Sequence, residues 1–234
     1  MSIAGRHRTS GRPGGGGRRD GTAVLVSAVT HGERSPGIPI LSDVSLSALP
    51  GEVVVIEGRS GSGKSTLCQL VAGLEAPDQG TVLVDGSPAA SVRDWGRCAL
   101  LPQRLGLPAE LTVAENVGLP CWVRGLPARP ELLEAFDLAH LADNLTAQAS
   151  RGEQQRVAIA RAAALSPAVI VLDEPTSHQD EAHADLVAHQ LLELARAGSA
   201  VLVATHDPRL VSEADQVVHL RAGRHHRGSP LLPH

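Results

Sequence analysis

The sequence predicts an α/β fold built around a mainly parallel β-sheet. A β-branched run at residues 53–56 leads into a glycine-rich loop, and a helical pattern that ends at Gly73 follows the loop. Later in the chain, helical patterns alternate with short apolar runs, in the order 153–165 (helix), 169–172 (strand), 181–197 (helix) and 200–204 (strand). With 234 residues, the chain is long enough to bury the core of one such domain.

The glycine-rich loop reads Gly58-Arg59-Ser60-Gly61-Ser62-Gly63-Lys64-Ser65-Thr66 and fits the pattern G-x-x-x-x-G-K-[ST]. Glycines allow several backbone N–H groups to turn inward, and the start of a helix adds positive potential, so the segment can cradle an anion. Lys64 is expected to reach the β- and γ-phosphates, and the Ser65 hydroxyl to bind Mg²⁺. A chance match is the alternative, which the flanking strand and helix disfavour. The loop predicts binding of a nucleoside triphosphate by Gly58, Ser60, Gly61, Ser62, Gly63, Lys64, Ser65 and Thr66.

The part of the chain around this loop is rich in predicted strands, because short runs of Val, Leu and Ile are bounded by turn residues. Its predicted elements are a strand at 23–26, a turn-rich stretch through Pro36 and Pro39, an extended segment at 41–49, a strand at 81–84 with a tight turn at 85–86, and a strand at 98–101. Residues from about 104 to 150 change character and predict a helical insertion. Thr112 and Glu115 form a capping box ahead of its first helix, Pro127 and Pro130 break that helix, and a second short helix is expected at 131–141.

The two ends of the chain are predicted to be tails. Residues 1–21 are rich in Arg and Gly and contain no apolar run, so we expect a disordered tail rather than a secretory signal. Weak attraction to anionic lipid head groups and a mis-assigned start codon are alternatives. A last strand at 217–220 is followed by a hairpin turn at 222–223, and residues 224–234 are expected to fray. The predicted domain therefore spans residues 22–223.

Composition excludes several classes of function. The formal net charge of −4, the absence of Tyr and the single Phe disfavour a nucleic-acid partner, which needs a basic surface and stacking rings. Cys68, Cys98 and Cys121 are odd in number and have no metal-ligand spacing, which indicates a reducing compartment. No apolar run approaches the roughly 18 residues of a membrane span. We therefore expect any role at a membrane to depend on a partner protein.

Polar residues follow the ends of several predicted strands. Gln103, Asp173, Glu174 and His206 stand at these positions, and ligands of parallel sheets bind at the carboxyl ends of the strands. Asp173 is expected to contribute to Mg²⁺ binding, Glu174 to activate water, and His206 to contact the γ-phosphate. Carboxylates at strand ends are often only solvated, but the coincidence of four such residues favours a catalytic site on the glycine loop.

With these motifs the chain resembles the ATP-binding subunits of ABC transporters, over roughly residues 22–223. Residues 58–66 are similar to the family's Walker A loop, Gln103 to its Q-loop, residues 169–174 to Walker B with its catalytic glutamate, residues 177–180 to the D-loop, and His206 to the switch histidine. The most specific match is the signature-like segment Ala149-Ser150-Arg151-Gly152-Glu153-Gln154-Gln155-Arg156-Val157-Ala158-Ile159-Ala160-Arg161-Ala162.

The resemblance implies a P-loop NTPase fold, with a RecA-like parallel core, an antiparallel β subdomain and an inserted α-helical subdomain. It also implies ATP and Mg²⁺ as ligands, Gln103 as both a catalytic and a metal-binding residue, and a head-to-tail dimer with a second such subunit, most simply a homodimer. In that dimer Ser150 and Gly152 close over ATP held by the partner's Walker A loop, and Asp180 of the D-loop also lies at the nucleotide. The ATPase is then expected at the cytoplasmic face of the cell membrane, bound to a permease.

Within the family, residues 112–120 and 124–126 are similar to the lipoprotein-release and macrolide-exporter group. Three departures from the family pattern stand out. His31 takes the place of an aromatic residue that stacks on adenine, Ala149 and Gln179 replace leucines in what we interpret as packing changes, and Arg151 replaces a glycine.

Two hypotheses remain: an ATPase that powers a transporter, or a non-transport regulator or scaffold that signals to a membrane partner. A neighbouring permease gene favours the first, and turnover insensitive to every candidate substrate favours the second.

Overall fold

The computed structural model describes residues 21–221 and 224–226. The strands are β1 (Val24–Ser35), β2 (Ile38–Ala48), β3 (Val53–Glu57), β4 (Gln79–Val84), β5 (Ser87–Pro88), β6 (Cys98–Leu101), β7 (Val169–Asp173), β8 (Ala200–Ala204), β9 (Gln216–Arg221) and β10 (Arg224–His226). The helices are α1 (Lys64–Val71), α2 (Val113–Val123), α3 (Glu131–Ala135), α4 (Arg151–Ala163), α5 (Glu181–Arg196) and α6 (Pro208–Glu213). Residues 1–20 and 227–234 of the predicted tails, and the turn residues 222–223, lie outside the described residues.

A six-stranded sheet forms the centre of the molecule, in the order β10-β9-β3-β8-β7-β6. All of its pairs are parallel except β10 with β9. Residues of β7 and β8 are buried along their whole length, as expected for strands covered on both faces. Because β3, β6, β7 and β8 run in the same direction, the loops after them meet at one edge of the sheet. The predicted parallel core is confirmed.

A second, antiparallel sheet has the order β2-β1-β4-β5. One apolar core joins its inner face to the parallel sheet, with Leu67 and Leu70 of α1 among its fully buried members. The predicted turn-rich stretch before residue 41 is wrong. β1 continues to Ser35 through register shifts, with Ala28 at φ 50°, and the turn is confined to the residues before Ile38. Such bulges let a long strand bend, so a local irregularity does not end it.

The helical insertion packs α2 and α3 against α4 on the other face of the parallel sheet, in a second apolar core. The capping box is present, because Thr112 Oγ1 accepts from the Glu115 N–H at 3.1 Å and Glu115 Oε2 accepts from the Thr112 N–H at 2.8 Å. The predicted helix at 131–141 is too long: α3 ends at Ala135. The left-handed conformation of Asp137, at φ 52°, turns the chain there.

The later elements follow the prediction closely, with two differences at the C-terminal side. Helix α6 was not predicted, although Asp207 followed by Pro208 is a strong helix start; the Asp207 carboxylate accepts from the Arg209 N–H at 3.0 Å. Residues of β10 were expected to fray, but they pair with β9 and extend the sheet past residue 223. In the described ranges, no helix combines the length and the apolar character that crossing a membrane requires.

Candidate nucleotide-binding site

A cavity of about 850 Å³ opens at the carboxyl edge of the parallel sheet. The glycine loop after β3 forms one wall, and side chains that follow β6, β7 and β8 form the other. The predicted site residues that line it are Gly58, Ser60, Gly61, Ser62, Gly63, Lys64, Ser65, Thr66, Gln103, Asp173, Glu174 and His206. Four predicted residues, His31, Ser150, Gly152 and Asp180, are not part of this lining.

Two glycines shape the loop for close approach. A Cβ on Gly58 would come within 2.6 Å of the Leu220 carbonyl oxygen. Gly63 adopts φ of 102°, and a Cβ there would lie 2.7 Å from Leu41 Cδ2. Helix α1 begins at the next residue, Lys64, so its unpaired N–H groups are directed toward the loop. The loop and the helix start together provide the anion cradle that the motif predicts.

Lys64 is the only lysine of the chain. Its Nζ donates to the Gly58 carbonyl oxygen at 2.8 Å and lies 4.0 Å from Glu174 Oε1. The side chain is nearly buried, with 12% of its surface exposed. The ammonium group therefore stands between the loop backbone and the acidic end of β7, where an anionic phosphate would meet a compact positive charge.

Asp173 and Glu174 end β7 in different environments. Asp173 is the last residue of the buried strand and is itself buried. Glu174 turns the chain with φ of 52°, while its N–H donates to the Ala204 carbonyl oxygen at 2.8 Å. Its own carbonyl oxygen accepts from Gln155 Nε2 at 2.7 Å and from Ser177 Oγ at 2.8 Å. These bonds hold a left-handed backbone that directs the Glu174 carboxylate into the cavity.

His206 and Gln103 lie at the more open side of the cavity. The Nδ1 atom of His206 is 3.4 Å from Glu174 Oε2, and 87% of the His206 side chain is exposed. Gln103 is exposed at the end of β6. Both side chains are exposed to solvent, whereas Asp173 is buried at the end of β7.

One strongly shifted group lies beneath the loop. Burial, followed by the charge of Asp173, raises the pKa of the Cys68 thiol far above its ordinary value. Cys68 is consequently a neutral, small apolar group in the buried face of α1, and it offers no thiolate for metal binding or redox chemistry.

The structure does not support the predicted stacking position of His31. Its ring is buried, with Nε2 2.9 Å from Glu75 Oε2 and Nδ1 3.5 Å from Asp78 Oδ2. Asp78 also accepts from the Gly32 N–H at 2.8 Å, which fixes the carboxylate beside the ring. The side chain therefore lies outside the cavity lining, with Nε2 hydrogen-bonded to Glu75, whereas the buried Nδ1 has no hydrogen-bond partner among the described residues.

Ser150, Gly152 and Asp180 lie on helix starts away from their own chain's cavity. Ser150 caps α4: its Oγ accepts from the Glu153 N–H at 3.3 Å, and Glu153 Oε2 accepts from the Ser150 N–H at 2.6 Å. Asp180 caps α5 and accepts from the His183 N–H at 2.9 Å; the hydrogen bonds from His183 lower the pKa of the Asp180 carboxyl. A nucleotide confined to this cavity would not contact these residues of the same chain.

Several residues that line the cavity were not identified from the sequence. Arg34 and Ile40 come from the β1–β2 hairpin, and Glu57 and His219 lie beside the loop with 3.1 Å between Glu57 Oε2 and His219 Nδ1. Arg34 fell in the stretch that was predicted to be turns, and Ile40 lay between that stretch and the segment predicted to begin at residue 41, so no periodicity assigned either residue to a face. Arg59 was included in the motif only as a variable position.

Comparison with known proteins gives a consistent result. A family model described as ABC transporter matches residues 41–177. The lipoprotein-releasing system ATP-binding protein LolD of Bordetella pertussis is 40% identical over 205 residues, which cover 80% of this chain and 87% of that protein. LolD of Gluconobacter oxydans is 41% identical over 219 residues, covering 87% of this chain and 95% of the relative.

Solved structures are similar over the same range. A dimeric structure of the ATP-binding cassette MJ0796 in a post-hydrolysis state, bound to ADP and Pi, superposes with a TM-score of 0.81. It is 30% identical and covers 90% of this chain and 100% of its own. A second dimeric structure of this bacterial ABC transporter cassette has a TM-score of 0.79 at 29% identity, with the same coverage.

Proposed function

We propose the function of this chain from one premise: the chain belongs to the ABC transporter family, as one of its ATP-binding subunits. The match over residues 41–177 and the relatives at about 40% identity establish that membership. The chain is accordingly an ATPase that serves a transporter. The observation that carries its mechanism is the convergence of Lys64, Glu174 and His206 on the cavity beside the glycine loop.

In the proposed mechanism, the glycine loop and the start of α1 bind the phosphates, and Lys64 leaves the Gly58 carbonyl for the β- and γ-phosphate oxygens. Glu174 accepts a proton from the attacking water, and its fixed backbone keeps the carboxylate at the γ-phosphate end. His206 moves from Glu174 to the γ-phosphate, where it donates a hydrogen bond to the developing charge. Each role matches the position of the side chain around the cavity.

Ser65, Gln103 and Asp173 are proposed to hold Mg²⁺. They offer a hydroxyl, an amide and a carboxylate, and such oxygen donors suit this ion. When bound, Mg²⁺ neutralises charge on the phosphate oxygens. Asp173 is suited to a fixed role because it is buried at the end of β7, whereas the exposed Gln103 can join when the site fills.

The working unit is proposed to be a head-to-tail dimer, most simply of two identical chains. Ser150 and Gly152 of one chain would close over ATP in the cavity of the other, and Asp180 would lie beside them. The dimeric structures of the similar cassette MJ0796 support this arrangement, as does the α4 start, whose N–H groups favour a phosphate.

A membrane permease is the proposed partner, and the subunit then lies at the cytoplasmic face of the membrane. The similarity to LolD favours a system of the lipoprotein-release type. Trp122, Val123 and Leu126, at the end of α2, are 49%, 78% and 50% exposed, and they offer the helical insertion an apolar surface for such a partner.

The sole lysine gives a direct test. An amine-reactive acyl phosphate of ATP should acylate Lys64 and no other side chain, excess ATP should prevent the reaction, and the modified protein should lose turnover. Mass spectrometry of the peptide locates the label, and Lys64→Ala, assayed by calorimetry, should no longer bind ATP. Normal ATP affinity in Lys64→Ala would contradict the assignment of the glycine loop as the phosphate site.

A further inference from the structure

The left-handed backbone of Glu174 is held from two sides. At φ of 52°, a residue with a side chain keeps this conformation only where neighbouring contacts enforce it. On one side, the Glu174 N–H donates to the Ala204 carbonyl oxygen of β8 at 2.8 Å. On the other, the Glu174 carbonyl oxygen accepts from Ser177, through its hydroxyl at 2.8 Å and its N–H at 3.2 Å, and from Gln155 Nε2 at 2.7 Å. Ser177 belongs to the same turn, whereas Gln155 lies on α4 and ties the turn to a separate element.

The amide of Gln155 uses both of its hydrogens in this contact. Because a carbonyl oxygen only accepts, the atom 2.7 Å from the Glu174 carbonyl oxygen is the amide nitrogen, and its second hydrogen is directed to Ser177 Oγ at 3.1 Å. The Ser177 hydroxyl donates to the same carbonyl oxygen, so the three groups close a triangle of hydrogen bonds. Gln155 is only 4% exposed, so bulk water does not replace the amide when it is removed.

The Glu174 carboxylate lies at the end of this fixed backbone, between Lys64 and His206. Its Oε1 is 4.0 Å from Lys64 Nζ, and its Oε2 is 3.4 Å from His206 Nδ1. A general base must come within about 2.6–3.2 Å of the group that gives up the proton, and a misplacement of about 1 Å can cost about 10²-fold in rate. Loss of the contact with α4 releases the carbonyl side of Glu174, and with it the position of the carboxylate.

Gln154, the preceding residue of α4, makes the same kind of contact in another place. Its Nε2 donates to the carbonyl oxygens of Thr146 at 3.2 Å and Ala149 at 3.0 Å. Both acceptors belong to the segment that precedes α4, and neither lines the cavity. Gln154 therefore holds the approach to the helix, whereas Gln155 holds the turn that carries Glu174.

We propose that Gln155 is a positioning residue for ATP hydrolysis: its amide holds the Glu174 backbone from α4 and so keeps the carboxylate aligned with the attacking water. Gln155 is not part of the cavity lining, so it acts through Glu174 rather than on the nucleotide. Binding of ATP, which uses the glycine loop and Lys64, does not depend on it. The inference rests on the proposed role of Glu174 as the base, and it adds the contact that fixes that base.

The test measures hydrolysis of radiolabelled ATP in single turnover, with the full chain in excess, and ATP affinity by calorimetry. Gln155→Met removes the amide at similar side-chain length and should slow hydrolysis about 10- to 100-fold with unchanged ATP affinity. Gln155→Glu keeps the shape but offers the carbonyl oxygen no N–H, and it should slow hydrolysis at least as much. Gln154→Met is the matched control and should hydrolyse ATP at the unmodified rate. Denaturant unfolding shows which variants are folded.

A double variant separates positioning of the base from general support of the fold. In a Glu174→Gln background, Gln155→Met should cause no further loss of rate, because the base through which it acts is already missing. A further loss there, an equal loss in Gln154→Met, or a loss of ATP affinity that matches the loss of rate would each overturn the proposal. An unmodified rate in Gln155→Met, with Glu174→Gln slow, would also reject it while leaving the proposed function intact. An unmodified rate in Glu174→Gln would instead show that the base itself is wrongly assigned.

Discussion

Gly152 and Arg151 are neighbours at the start of α4, and the structure gives them opposite constraints. A Cβ on Gly152 would lie 2.9 Å from the His178 carbonyl oxygen, closer than side-chain carbons normally approach a backbone atom. Arg151 is exposed at the first position of the helix. A cation at a helix start is mildly unfavourable, by about 0.3–1 kcal/mol, but it also adds positive charge where a partner's triphosphate is expected. These effects are small and opposed, whereas the contact at Gly152 is steric.

We therefore predict that Gly152→Asp abolishes turnover, since it adds both the steric conflict and a carboxylate that faces the γ-phosphate. Arg151→Gly should change turnover by less than about tenfold, because it alters only the small electrostatic terms. Phosphate release measures both, and calorimetry should show normal ATP affinity in each variant because the cavity of the same chain is unchanged. Equal, large losses would instead identify Arg151 as an arginine finger, a role typically worth about 10³- to 10⁵-fold in rate.

At the scale of elements, the contacts of Gln179 connect the D-loop to α4. Gln179 Nε2 donates to the Gly152 carbonyl oxygen at 2.9 Å, and its Oε1 accepts from Arg156 Nη1 at 3.0 Å. Arg156 is 3% exposed and also donates through Nε to the Phe136 carbonyl oxygen at 3.0 Å. One amide thus joins two segments expected to face a second subunit, and through Arg156 it reaches the helical insertion. The interpretation of Gln179 as a packing change was incomplete.

Two substitutions should separate the hydrogen bond of Gln179 to the Gly152 carbonyl oxygen from its hydrogen bond with Arg156. Gln179→Leu removes both hydrogen bonds and leaves the buried Arg156 without one acceptor, so we expect a loss of about 1–3 kcal/mol in unfolding free energy. Gln179→Glu keeps an acceptor for Arg156 but sets a carboxylate against the Gly152 carbonyl oxygen. Hydrogen exchange should therefore increase at residues 150–153 and 177–180 in both variants, whereas denaturant unfolding should show the larger loss for Leu. Unchanged exchange in both would show that packing alone holds the D-loop.

The strands of the parallel sheet and the residues at their ends could be predicted from the sequence. Strands β6 and β8 match their predicted bounds, because buried parallel strands are continuous apolar runs between turn residues. Gln103, Asp173, Glu174 and His206 converge as predicted, since parallel strands bring their ends to one edge. The bulged course of β1, the pairing of His31 with Glu75 and the place of Arg34 in the cavity were not predictable. Each depends on contacts between distant segments, for which a single sequence carries no periodic signal.

For the whole molecule, the arrangement of the site argues for two subunits. The cavity contains the phosphate cradle, the carboxylates and His206, whereas the capped starts of α4 and α5 lie outside its lining. If those helix starts contact nucleotide, they do so in a partner, and bound ATP then becomes part of the interface. ATP binding favours the dimer under this arrangement, and hydrolysis opens it because the γ-phosphate that joins the two surfaces is cleaved.

Glu174→Gln should trap this closed state. The amide preserves the shape of the side chain and leaves the glycine loop and Lys64 intact, so ATP and Mg²⁺ should bind, but an amide cannot accept the proton of the attacking water. We expect a species of twice the 24.3 kDa chain mass by size exclusion with light scattering when MgATP is present, and monomer when it is absent.

Glu174→Gln combined with Gly152→Asp is the matched control and should bind ATP yet remain monomeric, because its own cavity is unaltered while the surface offered to a partner is repulsive. A monomer in Glu174→Gln at saturating MgATP, with bound ATP shown by calorimetry, would contradict closure driven by the nucleotide; a dimer that persists in the double variant would show that the α4 start is not the surface that meets the γ-phosphate.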